Sequence, residues 1–341
     1  MAGDAVRPSA PVIMDVSVVM PVRNGMPHLA VQLDALARQT YQGRWEVIIS
    51  DNGSTDGSTG AVRAAADRVP VRVIDSRDAP GAAGARAAGA RAAQGRLLLF
   101  CDCDDVAADD WVDRMVAALD KYPAVGGHID DISLNTESVM AWRPPLTPGE
   151  LPRPFGLLAH ALAGNCGLRR EVYDEVGGFD PSFKYAAEET DLFWRVQLAG
   201  YQLGYAPDAV VSCRHRQDLR SMLRQWRSYG RGRARLVARY QALGLLPAES
   251  WRDAAGTMGW LSLHAVDCLR GQARRACYLR VLAHVAGQVQ GSREVGVLHI
   301  RREDSRRDGE RSLREVIAGA GLAGAGSAGS AGCQPGDAQA G

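Results

Sequence analysis

The sequence predicts an α/β fold on a doubly wound, mostly parallel sheet with C-terminal helices, and three observations predict it. Short apolar, β-branched runs alternate with helix-period runs from about residue 16 to 120. Each apolar run stops at a cluster of turn and cap residues. Helical segments between the runs supply the crossovers that parallel strands require.

Taken in order, Val16–Met20 reads as a buried strand closed by Pro21. Asn24-Gly25 makes a turn, and Leu29, Leu33, Leu36 and Ala37 recur at helical spacing. Trp45–Ile49 is a second strand, which stops at Ser50-Asp51-Asn52-Gly53-Ser54. A short helix covers Val62–Ala66, a third strand Val71–Ile74, and an Ala-rich helix Ala82–Ala93. Leu97–Phe100 is the fourth strand and Trp111–Leu119 an amphipathic helix. From about 125 to 165 the pattern breaks, with Pro144, Pro145, Pro148, Pro152 and Pro154 marking a long irregular connection. Helical spacing returns at Ala187–Ala199 and from Leu219 to about Leu245, and 250–317 reads as helical and Arg-rich. The chain therefore divides into a flexible N-terminus 1–12, an α/β domain 13–235, a helical extension 236–318 and a disordered Gly/Ala/Ser tail 319–341.

Composition narrows the function. The 341 residues carry 40 basic and 39 acidic side chains, so no global positive field points to nucleic acid. Only Lys121 and Lys184 are lysines; the Arg, Ala and Gly excess reads as bacterial coding bias. Seven scattered cysteines suggest reduced thiols and a cytoplasmic home. No charge-free window of eighteen apolar residues predicts a spanning helix, and Met1–Pro11 does not read as a signal peptide.

In doubly wound sheets ligands bind beyond the carboxyl ends of the strands. Three segments fall there: Pro21–Gly25, Ser50–Asp56 and Asp102–Asp105. Asp102-Cys103-Asp104-Asp105 is the most informative. In extended backbone Asp102 and Asp104 would point to one side, where two carboxylates repel unless a cation lies between them. Mg2+ or Mn2+ suits such oxygen ligands and would neutralise a diphosphate. The plainer alternative is a solvated loop in which Asp105 or Asp109 caps the next helix. Cys101 and Cys103 would point into the core, and no second Cys pair stands at zinc spacing. Asp51–Ser58 reads equally well as a turn and cap. Gly81-Ala82-Ala83-Gly84 lacks the dinucleotide fingerprint, which argues against NAD.

Several segments in a fixed order carry more weight than any one. They are Val18-Val19-Met20-Pro21-Val22-Arg23-Asn24, Ser50-Asp51-Asn52-Gly53-Ser54-Thr55-Asp56, Ala85-Arg86-Ala87-Ala88-Gly89 and Asp102-Cys103-Asp104-Asp105. Downstream come Gly164–Arg170, Val176-Gly177-Gly178-Phe179-Asp180 and Ala187-Glu188-Glu189-Thr190-Asp191-Leu192. Over about residues 13–217 the chain resembles family 2 glycosyltransferases of the GT-A fold. That resemblance implies inverting sugar transfer from a nucleoside-diphosphate sugar, with a UDP-sugar favoured, to a hydroxyl of a glycan, lipid-linked glycan or small molecule. It implies that Pro21, Arg23 and Asn24 line the nucleotide pocket, and that Asp51 bonds the nucleobase with Asn52 and Ser54 nearby. It places Arg86 beside the base, Asp102 at the ribose or metal shell, and Asp104 on the metal. Glu189 falls at the family's catalytic base, with Asp191 as the alternative.

Two departures stand out. Glu189 is a methylene longer than the family's usual Asp, and Ala87 stands where Asn is common. Glu188 beside Glu189 is expected to raise its pKa. His215 falls where some relatives place a histidine near the metal. A non-catalytic sugar-nucleotide-binding scaffold is the rival from another class, with the Glu189 departure in its favour. A nucleotidyltransferase would need a Gly- and Lys-rich first loop where this chain has Pro21-Val22-Arg23-Asn24. Arg220, Arg224, Arg227 and Arg231 share a helix face, and 276–291 is apolar but interrupted by Arg280 and His284. Peripheral contact with the inner face of the membrane is one reading of these segments, and a solvated face the other.

Overall fold

The computed structural model describes residues 14–79, 81–143 and 149–302. The expected flexible N-terminus 1–12, the tail 319–341, the extension beyond 302, and Pro144, Pro145 and Pro148 lie outside the described residues.

The first half follows the expected alternation: β1 (Val16–Val22), α1 (His28–Ala37), β2 (Trp45–Asp51), α2 (Ser58–Ala65), β3 (Val71–Asp75), α3 (Gly81–Ala92), β4 (Leu97–Cys101), β5 (Val106–Ala107) and α4 (Trp111–Lys121). Then come β6 (Ala124–Asp130), α5 (Glu137–Met140), β7 (Asn165–Arg169), α6 (Arg170–Glu175), α7 (Glu188–Leu198) and β8 (Leu203–Ser212). Three further helices are α8 (Leu219–Ala242), α9 (Trp251–Leu263) and α10 (Gln272–Val295).

The eight strands form one sheet in the order β3-β2-β1-β4-β7-β6-β8-β5. Strands β3, β2, β1 and β4 are parallel, as is β6 with β8, whereas β7 runs antiparallel to both β4 and β6. The sheet is thus more mixed than the alternation of its first half implies. Side chains alternate across it with period two: Val16, Val18, Met20 and Val22 join α1, α2 and α4 on one face, and Val19 joins α3, α6 and α7 on the other.

Two expectations are corrected here. Pro21 does not end β1, which continues to Val22. The Val22 carbonyl accepts the Asn52 N–H at 2.7 Å on the β2 side, so Pro21 faces the β4 side, where pairing has already ended at Val19. No donor is needed there. The stretch after residue 125 is not all irregular. It contains β6, and β7 and β8 follow, all lacking a clear strand pattern because they are rich in small residues. Those small residues are demanded by packing. A Cβ on Gly126 would lie 2.7 Å from both Ala161 and Leu151, and one on Gly167 would lie 2.7 Å from Leu99. Asn165 locks the region: it accepts the Trp111 indole N–H at 2.8 Å and donates to the His128 and Ala209 carbonyls at 2.7 and 2.9 Å.

The boundary expected at 235/236 falls inside α8, which is continuous. Leu236, Val237 and Tyr240 of α8 pack with Trp194 of α7, so the helix belongs to the sheet's own outer layer. Segment 276–291 lies within α10, and its His284, Gly287 and Gly291 are buried where α10 crosses α8. That part of α10 is therefore largely a packing face. Arg227 donates to Gln290 at 3.1 Å and Arg231 pairs with Glu294 at 2.5 Å, so half of the arginine stripe serves the same crossing.

The crossing depends on glycine. A Cβ on Gly230 would run into the His284 carbonyl oxygen, and one on Gly287 into that of Arg227. Gly287→Ala should therefore lower the unfolding free energy by about 1–3 kcal/mol, the usual cost of forcing an extra carbon into a packed contact. Chemical denaturation checks this; an unchanged midpoint would show that the helices part freely.

Candidate active site

The ends of β1 and β2 are latched together. Asn24 sits at φ 55°, in the left-handed region where Asn is tolerated. Its N–H donates to Ser54 Oγ at 3.0 Å, and its Oδ1 accepts the Thr55 N–H at 2.8 Å. Gly25 N–H donates to Ser58 Oγ at 3.0 Å, and Met26 N–H to Asp56 Oδ2 at 2.8 Å. Asp51 Oδ1 accepts the Ser54 N–H at 3.0 Å, and the Asn52 amide donates to the Ser76 and Ala79 carbonyls at 2.6 and 2.9 Å. Pro21, Asn24, Asp51, Asn52 and Ser54 thus gather at one end of the sheet, with Arg23 exposed beside them. Asn52 is committed to holding the loop before α3.

The acidic cluster follows β4 as a turn, not as extended backbone. Asp102 is about one-third exposed (35%), Asp104 is half-buried, and Asp105 is buried. Neither Asp105 nor Asp109 caps α4: Asp105 accepts the Arg214 N–H at 2.9 Å, and Asp109 pairs with Arg38 at 3.0 Å. Gly164 makes room for the cluster. A Cβ there would lie 3.0 Å from Asp102 Oδ2 and 3.2 Å from Asp105 Oδ2. Burial first, then the neighbouring carboxylates, pushes the pKa of both Asp104 and Asp105 upward. Arg216, exposed after β8, answers with an ion pair to Asp104 Oδ2 at 3.1 Å. His28, whose pKa is lowered by its own burial, feels Arg214, Asp104 and Arg216.

A buried arginine joins this cluster to α7. Arg86 on α3 donates through Nη2 to Asp102 Oδ1 at 2.5 Å and through Nη1 to Glu188 Oε1 at 2.7 Å. Its guanidinium lies 5.7 Å from the Phe179 ring centroid, and Phe179 packs edge-on against Phe100. Both of its terminal nitrogens are committed to carboxylates, so Arg86 ties the acidic cluster to α7. Next to it, Ala87 is buried in the core below α3, where an Asn side chain would displace apolar packing.

Helix α7 begins at a strained residue. Ala187 has φ 68°, unusual for a residue with a Cβ, and immediately precedes Glu188 and Glu189. Glu189 is half-buried and forms no ion pair among the described residues. Burial is the largest cause raising its pKa; Glu188, expected to raise it, contributes a hydrogen bond that lowers it. Burial also raises the pKa of Glu188, with Glu189 reinforcing and Arg86 opposing.

Asp191, the alternative base, is built into the scaffold. It is fully buried, pairs through Oδ2 with Arg195 at 2.9 Å and through Oδ1 with Arg239 at 2.9 Å, and accepts the Tyr240 hydroxyl at 3.1 Å. Arg195 also donates to the Gly178 carbonyl at 2.6 Å, and Arg239 pairs with Asp180 at 2.8 Å. The Gly177–Asp180 turn is therefore held onto α7, and both Asp191 oxygens are occupied.

His215 follows β8, between Arg214 and Arg216. Its backbone N–H donates to Asn135 Oδ1 at 2.8 Å, and burial and Arg143 lower its pKa to about 4. Among the described residues no three His, Cys, Asp or Glu side chains form a group that could hold a metal alone. Asp102 and Asp104 still fit Mg2+ or Mn2+, which is usually held by one or two carboxylates plus substrate phosphates. The space over Gly164 and the mutual repulsion of three acids supply the room and the charge. Sequence reasoning missed Arg216, Asp105 and Gly164 as parts of this site. The signal for Arg216 was its place beside His215; for Asp105 it was its place in the run Asp102-Cys103-Asp104-Asp105.

The mixed sheet with its acids beyond β4 and its buried bridge to α7 defines a GT-A architecture. Residues 17–177 match the model described as Glycosyl transferase family 2, and 158–286 match Glycosyl transferase family group 2. The chain belongs to glycosyl transferase family 2. It is 27% identical over 225 residues to glycosyltransferase AglE of Haloferax volcanii, covering 64% of this chain and 72% of that one. It is 27% identical over 263 residues to the pre-mycofactocin glycosyltransferase of Mycobacterium tuberculosis, covering 68% of this chain and half (50%) of that protein's length. Among solved structures, the mannosyltransferase PcManGT from Pyrobaculum calidifontis, in complex with GDP-Man and Mn2+, superposes with a TM-score of 0.56 at 19% identity, covering 81% of this chain and 86% of that one. S. aureus TarS 1–349 in complex with UDP-GlcNAc gives 0.50 at 17% identity, covering 83% and 90%.

Arg86→Met should cost about 3–5 kcal/mol, since it leaves buried carboxylates without their cation. Without Arg86, the folded-state pKa of Glu188 should sit further above its unfolded value. Stability of the variant should therefore fall more steeply than that of the wild type as pH rises above the ordinary carboxylate range. Urea melts across that range check the sign; parallel profiles would show that the bridge carries no net charge compensation.

Proposed function

We propose that this protein transfers a sugar from a nucleoside-diphosphate sugar, with a UDP-sugar favoured, to an acceptor hydroxyl, with inversion at the anomeric carbon and assistance from Mg2+ or Mn2+. The observation that carries the proposal is Glu189: a half-buried carboxylate with a raised pKa, without an ion pair among the described residues and anchored next to Glu188, which Arg86 ties to Asp102.

The latched ends of β1 and β2 form the nucleotide pocket. Pro21 and Asn24 shape its wall, Asp51 reads the nucleobase with Ser54 beside it, and exposed Arg23 faces the phosphates. Asp102 and Asp104 would hold the cation, which supplies charge neutralisation at the diphosphate when bound. Arg216, already against Asp104, adds a second positive charge on the same side. Glu189 accepts the proton of the acceptor hydroxyl as its oxygen bonds to the anomeric carbon. The bond from that carbon to the diphosphate oxygen breaks, and its electron pair leaves with the diphosphate. Attack from the face opposite the leaving group inverts the centre. GDP-Man in one fold neighbour and UDP-GlcNAc in another support the donor class.

Transfer from UDP- and GDP-sugars, assayed with Mn2+, tests the reading. Glu189→Gln should lower kcat by about 10²–10⁴-fold while donor binding, read by thermal shift, persists. Wild-type turnover in that variant would exclude Glu189 as the base, and donor binding by the wild type without any transfer would favour a binding scaffold. The raised Glu189 pKa also places the acid limb of kcat/KM above the ordinary carboxylate range, with activity rising as pH rises through it. Asp191→Asn should instead lower Tm and leave that limb where it is.

A further inference from the structure

Helix α9 and the 3-10 turn after it, Ala265–Leu269, present an apolar surface that the sugar-transfer reading does not use. From Ala254 to Val266 the sequence carries no Asp, Glu, Lys or Arg, although most of these residues are exposed. Only Thr257 and Leu261 of α9 are buried. Beside that buried edge Trp251, Ala255 and Met258 follow one another at helical spacing, all exposed. The surface continues through Leu263, 78% exposed, to Val266 and Leu269, the last 86% exposed. In a 3-10 turn residues three apart eclipse, so Val266 and Leu269 share a side.

Charge surrounds this surface asymmetrically. Arg252, Arg270, Arg274 and Arg275 are exposed along its margins. The two acids in the same stretch are partly committed: Asp253 accepts from Ser250 in a capping box, and Asp267 meets Arg270 at 3.4 Å. No helix among the described residues is long and apolar enough to cross a membrane. An apolar helical face with a basic margin, too short and too interrupted to span, fits the interface of a bilayer with anionic headgroups.

We propose that α9 and its 3-10 turn are a membrane-docking face that inserts Leu263, Val266 and Leu269 into an anionic lipid surface while the flanking arginines engage the headgroups. The site differs from the arginine stripe on α8 and from the glycine-lined crossing of α8 and α10; Arg274 and Arg275 stand in the first turn of α10, ahead of that crossing. Because docking is read without sugar transfer, its failure and that of the proposed reaction are separable.

Co-sedimentation of the full chain with phosphatidylcholine vesicles, and with vesicles containing phosphatidylglycerol, tests the proposal. Binding should require phosphatidylglycerol and weaken with salt. Leu263→Glu with Leu269→Glu should lower partitioning by about tenfold or more, and Arg274→Glu with Arg275→Glu should abolish the lipid selectivity. These side chains are exposed, so Tm should be unchanged, and circular dichroism confirms it. Absence of binding to phosphatidylglycerol vesicles overturns the proposal. So does equal binding by the Leu263→Glu, Leu269→Glu variant, or a dimer in light scattering that this variant dissolves while vesicles capture neither form.

Discussion

The Arg86 guanidinium is the constraint on which the rest of the site depends. It is buried, so its charge must be met inside the protein, and it is met by Asp102 at 2.5 Å and Glu188 at 2.7 Å. Those carboxylates come from the end of β4 and the start of α7, elements 86 residues apart in sequence (102 to 188). One planar cation with donors on two sides fixes their separation, as a lysine ammonium could not. The position of Glu189, next in the chain, is then set by a bond that Glu189 does not make.

The same end of α7 is braced from behind. Ala187 is held at φ 68°, and Gly232 of α8 brings its backbone against the Ala186 carbonyl, where a Cβ would collide. Gly81, opening α3, makes room for the Lys184 carbonyl, 2.9 Å from where its own Cβ would stand. The helices at the C-terminal side of the chain are therefore part of what keeps the two glutamates in place. Asp191, Arg195 and Arg239 complete the brace, tying α7 to α8 and to the Gly177–Asp180 turn. Strain at Ala187 persists because packing on three sides leaves the backbone no alternative.

The acidic cluster works by the opposite logic. Asp102, Asp104 and Asp105 are crowded beyond what one cation satisfies, and burial raises the cost of ionising Asp104 and Asp105. Arg86 and Arg216 relieve part of that repulsion. The remaining charge is what the proposed divalent ion would neutralise, and Gly164 leaves space beside it. Loss of charge elsewhere on the surface would not reproduce this, because screening by water dissipates exposed pairs.

By itself the sequence determined the first half of the sheet and the position of the site along it. Strands β1, β2 and β4 announce themselves because apolar runs buried on both faces have few alternatives, β3 at the sheet edge does so by its β-branched residues, and the polar residues at the strand ends mark where ligands meet such a sheet. The acidic run and the Glu188-Glu189 pair were legible for the same reason: such residues in such places are costly without a purpose. Only the tertiary structure decided the second half. Strands β6 and β7 carry glycines that close packing requires, and Gly has no strand preference to read. It also decided the roles of like-charged neighbours. Asp191 and Glu189 look interchangeable in a string of letters, but Arg195, one turn along α7, and Arg239 of α8 both pair with Asp191, whereas Glu189 has no ion pair among the described residues. Arg195 is local, but Arg239, 48 residues on, meets Asp191 only when the chain is folded, so that pairing cannot be read from local pattern.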